Sequence, residues 1–129
     1  MRVMAIIIVI LGLASLVLGI LFITEASSAE DEIAESIAPL PLDGVDSRYE
    51  DVKAQQSAMR AVEGPAIQSG ADPSAMYNYL TIQRTSLGLT RSQIGLASLT
   101  RTSGIINIIV GLGLILAGVG LFKKSQSTA

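Results

Sequence analysis

The sequence predicts an all-α membrane protein. Two transmembrane helices extend into an antiparallel extracytoplasmic helical hairpin or bundle that also holds a short third helix. Three observations predict it: a charge-free apolar run near each end, the confinement of every acid to the middle, and Pro/Gly breaks that divide the middle into helical stretches.

Val3 to Ile23 is apolar apart from Gly12, Ser15 and Gly19. At ~1.5 Å per residue such a run reaches roughly 30 Å, the thickness of a bilayer core. Residues 1–23 therefore read as transmembrane helix 1. The run is longer than the ~7–15 residues of a signal-peptide core, so it reads as an uncleaved signal anchor. Gly104 to Phe122 is the second run, with Asn107 its one strongly polar member, and residues 104–122 read as transmembrane helix 2. The chain is 50% hydrophobic but only 4% aromatic, so the excess lies in aliphatic residues and glycine. That is the composition of helices whose solvent is lipid.

Charge sets the expected orientation. All 11 acids lie between Thr24 and Ser103, whereas Arg2, Lys123 and Lys124 lie outside the runs with no acid beside them. The positive-inside rule then puts both termini in the cytoplasm, with residues 24–103 extracytoplasmic and 123–129 a cytoplasmic tail. The expected location is the cytoplasmic (inner) membrane of a prokaryote.

The middle divides at its breakers. The first helix is expected to continue through Glu25 to Ala38 and to end at Pro39 and Pro41. Ser47 and Glu50 fit a capping box that would start a second helix. Tyr49, Val52, Met59 and Val62 would form its apolar face, with Gln56 within it, and Gly64-Pro65 would stop it. Asp72-Pro73 would cap a third helix running unbroken to Phe122. On that helix Leu80, Leu87 and Ile94 are seven apart, as are Ile82, Leu89 and Leu96, a coiled-coil-like surface needing a partner. Met76, Tyr77 and Tyr79 are expected to pack on the Tyr49–Val62 helix.

Small residues mark candidate helix-packing positions. Gly12 and Gly19 are seven apart, as are Gly104, Gly111 and Gly118, and Gly113 and Gly120. Ser15–Gly19 and Gly113–Ala117 are small-xxx-small pairs, which let helix backbones approach closely in lipid. Pairing within one chain and pairing between chains both satisfy this spacing. Charge pairing is expected above the membrane. Thr24 to Ser47 carries acids and no base, whereas Pro73 to Ser103 carries arginines and no acid. Helical rise sets Glu25 level with Arg101, and Glu35 level with Arg91.

The chemistry is limited. With no Cys and no His, the chain excludes thiol and imidazole catalysis and any Cys/His zinc site. No glycine-rich phosphate loop is present, and the acids from Glu30 to Glu35 lack calcium-loop spacing. Neither run holds an ionisable residue, which argues against an ion relay. The expectation is a non-enzymatic protein with no catalytic, metal or cofactor site, no small-molecule substrate and no nucleic-acid partner. Its partners would be the lipid bilayer and itself or another membrane protein. The expected function is structural or accessory, through self-association or as a subunit of a membrane complex. A small regulator of a larger membrane complex or receptor, and an oligomeric pore, remain the alternatives. The anchor–helices–anchor layout resembles that of bacterial sensor input domains, but only Lys123 to Ala129 follow the second run, where a receptor needs an output module.

Overall fold

The computed structural model describes residues 2–127. Met1, at the start of the expected first span, and Thr128 and Ala129, in the expected tail, lie outside the described residues. The chain is all-helical: α1 is Arg2–Ile37, α2 is Val45–Gln68 and α3 is Ala75–Ser127, with a 3-10 turn at Leu42–Gly44 before α2. Two of these, α1 and α3, are long and apolar enough to cross a membrane. The contacts divide into two compact units. One comprises residues up to Glu30 together with those from Leu96 onward; the other is Asp31–Gly95.

The breaks between helices differ in detail from the sequence expectation. α1 ends at Ile37, just ahead of Pro39, where the Leu40 amide donates to the Ile37 carbonyl. The start of α2 comes earlier than Ser47. Val45, only 1% exposed, begins it behind Gly44, with no side-chain cap. The Ser47–Glu50 capping box is thus not formed, because burying Val45 draws the first turn back past Ser47. Glu50 instead pairs with Lys53 at 3.0 Å.

Pro65 does not stop α2, which continues to Gln68. A proline costs a helix one amide donor and a clash with the preceding turn. Here it stands in the last turn, so little helix remains to be disrupted. The true stop is Gly70, at φ +99°. The Gly70 amide donates to the Ile67 carbonyl and the Ala71 amide to the Ala66 carbonyl, both at 3.0 Å. That pair of bonds is the Schellman arrangement, and its left-handed residue is normally glycine.

The cap of α3 is Ser74, not Asp72. The Tyr77 amide donates to Ser74 Oγ at 3.1 Å, satisfying one of the free donors of the first turn. Glu63 of α2 completes the cap from outside: the Ser74 amide donates to one carboxylate oxygen at 3.0 Å and the Ser74 hydroxyl to the other at 2.6 Å. These bonds hold the Glu63 carboxyl below its ordinary pKa, the hydroxyl contributing most. From Ala75 the helix is continuous to Ser127, through Gly88 and Gly95.

In the Asp31–Gly95 unit, Val45, Val52, Gln56 and Leu80 are buried, with Ile33 and Thr90 just inside that class. Val62, expected on the same face of α2, is 78% exposed. Met76 joins Met59, Val62 and Leu80 around a shallow apolar groove, and Tyr79 remains exposed.

Candidate helix-packing site

In the unit that holds both apolar runs, the buried positions obey one rule. On α1 they are Ala5, Gly12, Gly19 and Ala26; on α3 they are Ala97, Gly104, Gly111 and Gly118. Each ladder repeats every seven residues, and every rung is alanine or glycine. Val3, Ile10, Ile109 and Leu116 are all more than half exposed, whereas Val9, Leu16, Ile108 and Ile115 flank the ladder half-buried.

The glycines are where the two backbones come closest. A methyl group built on Gly19 would stand 2.6 Å from the Gly104 carbonyl oxygen, and one on Gly104 would stand 2.7 Å from that of Gly19. Gly12 and Gly111 stand in the same reciprocal relation, at 2.8 and 2.7 Å. At the third rung, a methyl on Gly118 would meet the Val9 side chain at 2.6 Å and the Ala5 carbonyl at 3.0 Å. No L side chain fits such gaps, so the contact requires residues without a Cβ. Ser15 adds a polar tie, its hydroxyl donating to the Asn107 backbone carbonyl at 2.9 Å. The bond uses the main chain of Asn107 rather than its side-chain amide.

The second glycine column behaves differently. Gly113 and Gly120 have no atom within 4 Å of where a Cβ would stand, and Ala117 is exposed. They share the seven-residue spacing of Gly111 and Gly118 but occupy another face. Conversely, Ala5, Ala26 and Ala97 were not singled out from the sequence. Extending the Gly12–Gly19 and Gly104–Gly118 spacings by one step in each direction finds all three.

The arginines have partners among nearby acids. Arg101 lies 2.6 Å from Glu30, and Arg91 lies 2.7 Å from Asp46 and 3.7 Å from Glu50 on α2. Glu25 and Glu35, set opposite them by helical rise, form no ion pair among the described residues. Arg91 also sits over the Tyr49 ring, 5.4 Å from its centre, and Tyr49 passes beside Gly88. The Arg91 pairs are exposed and each is worth about 0–1 kcal/mol, whereas the Arg101–Glu30 pair is partly buried. Gln56 makes the more buried polar link: it donates to Thr81 at 3.1 Å and accepts from Arg84 at 2.5 Å. Of the expected heptad surface, Leu80 is buried, while Leu87 and Ile94 are half-buried. The parallel set Ile82, Leu89 and Leu96 is exposed, at 68%, 62% and 63%.

No grouping of acids able to hold a metal ion occurs among the described residues. No family model, curated protein or solved structure matches this chain.

Proposed function

We propose that this chain is a non-enzymatic structural or accessory membrane protein. Its α1 and α3 cross the bilayer as the lower half of an antiparallel helical hairpin, and it assembles through helix contacts. The observation that carries the reading is the inverted distribution of size around the two apolar runs: the buried positions are alanine and glycine, and the exposed surface is isoleucine, leucine and valine. Only 11% of the most apolar stretch of each of the two helices is buried. In water such a surface is a large exposed apolar patch of the kind that drives association or aggregation. In lipid it is the expected design, because hydrophobicity cannot pull helices together there and close backbone approach must.

The rungs support the hairpin. Gly12 meets Gly111 and Gly19 meets Gly104, so sequence order on one helix runs against that on the other. The charge distribution supports cytoplasmic termini in the inner membrane of a prokaryote, with the acidic middle outside. The exposed Ile82, Leu89 and Leu96, which lie beyond the apolar run of α3, support assembly with a further helix, supplied by a second copy or by a subunit of a larger complex.

The chain has no cysteine, so single substitutions give unique labels. Ser57→Cys on α2 is expected to react with a membrane-impermeant maleimide on spheroplasts. Ser127→Cys is expected to react only after lysis. Alkaline carbonate should leave the protein in the membrane pellet. Release into the supernatant, or labelling of both positions from outside, defeats the reading.

A further inference from the structure

We infer that the end of the helix pair nearest the termini is a binding site for one anionic phospholipid. The site rests on the membrane-spanning reading above and adds a ligand to it. Near the start of α1 and the end of α3 lies a groove of about 420 Å³. Its walls are Ile6, Val9 and Ile10 on one side and Val119 and Phe122 on the other. Among the described residues, the polar ones lining it are Lys123 and Gln126, which follow Phe122 on α3 and so stand at the terminal end.

This combination selects a ligand with a long apolar part and an anionic head. The groove exists because the ladder of small residues ends here. The Ala5 carbonyl lies against Gly118, and beyond that rung Val119 and Phe122 line the groove, partly exposed. An acyl chain fits the apolar walls by close packing. The phosphate of the same lipid then falls at the level of Lys123, whose ammonium has no carboxylate partner among the described residues. No carboxylate competes for it along α1 before Glu25, and α3 contains none. Arg2 adds positive charge at the same end. A zwitterionic lipid fills the groove equally well with its acyl chain but brings its own cation to Lys123, so head charge gives the preference. Basic residues at the membrane surface favour anionic lipids.

The test is native mass spectrometry of the full chain in mild detergent. It is titrated with phosphatidylglycerol or with phosphatidylcholine of identical acyl chains. The expected result is one phosphatidylglycerol retained at concentrations about tenfold below those needed for phosphatidylcholine. Lys123→Gln should abolish that preference while leaving acyl binding, and Val119→Trp, which fills the groove, should lose both lipids. Inorganic phosphate should not displace the lipid. Equal retention of the two lipids, unchanged binding in both variants, or displacement by phosphate alone overturns the site. A protein that stays in the carbonate-washed pellet but shows no lipid preference fails this inference only; a protein released from the pellet fails the membrane reading.

Discussion

Gly12 and Gly111 face each other so closely that a methyl group on either would stand less than 3 Å from the other's carbonyl oxygen. Two residues along α3 from Gly111, a methyl on Gly113 would meet nothing within 4 Å. Leucine at these two glycines should therefore have opposite consequences. Gly111→Leu must push the helices apart against backbone, which does not yield as a side-chain tip would. Overpacking of this kind costs about 1–3 kcal/mol or more. Gly113→Leu should leave the fold unchanged and slightly favour the helix, since glycine is about 1 kcal/mol worse than alanine inside one. Thermal unfolding in detergent, followed by circular dichroism, separates them. An equal loss in both variants would mean that the glycine ladder does not set the helix contact.

The glycine spacing was legible in the sequence because a close helix pair needs its smallest residues once every two turns, and glycine is conspicuous in an apolar run. The same logic applies to Ala5, Ala26 and Ala97, but alanine is ordinary in helices and carries no such signal alone. Spacing also cannot say which face meets the neighbour, so Gly111 and Gly113 looked alike. The Arg91 partners were hidden for another reason. Helical rise compares levels on two helices, and it has no means of seeing that α2 brings Asp46 and Glu50 closer than Glu35. The caps were misread because several residues near each end had acceptable chemistry. Only burial of Val45 and the reach of Glu63 to Ser74 decided among them.

Gly70 gives the second prediction. Its φ of +99° lies where an L side chain is strained, and the two bonds that close α2 depend on that conformation. No atom lies within 4 Å of its missing Cβ, so the cost of Gly70→Ala is conformational rather than steric crowding by neighbours. It should be about 1–2 kcal/mol, the usual penalty for a left-handed L residue. Denaturant titration of the variant measures it. Gly64→Ala serves as control, because Gly64 is inside α2 and alanine should stabilise it there.

The Glu63–Ser74 cap should be sensitive to acid. The folded pKa of Glu63 is lowered by its bonds to Ser74, relative to about 4.3 for a free glutamate. A depressed folded pKa means that the contribution is fully present above the unfolded value. It is lost as pH falls through the folded one. Between neutrality and the ordinary carboxylate range, wild type should therefore be more stable than Glu63→Gln. The difference should close on further acidification. The Ser74 and Tyr77 amide resonances should move together with a midpoint below the ordinary glutamate value. A midpoint at or above that value would show that the bonds do not favour the carboxylate.

The exposed column on α3 yields the last prediction. Leu96 and Leu99 are 63% and 64% exposed, and both precede the apolar run that starts at Gly104. Ile82 and Leu89 lie two and one heptads before Leu96, respectively, and are exposed as well. Three residues on from each of Ile82, Leu89 and Leu96 come Thr85, Ser92 and Leu99, so the column has the alternating three- and four-residue steps of a helix-pairing seam. No charge stands in it, and the three arginines of α3 lie at other positions. Two copies meeting along this seam would bring no like charges together, which favours a second copy over a charged partner helix. Leu96→Cys and Leu99→Cys should form disulfide-linked dimers on mild oxidation in native membranes. Ser98→Cys, also exposed but on a different side of the same turns, should not. Cross-linking at all three positions would indicate random collision. Failure at Leu96 and Leu99, together with a different protein co-purifying in mild detergent, would assign the seam to a foreign subunit and make the chain an accessory of that complex.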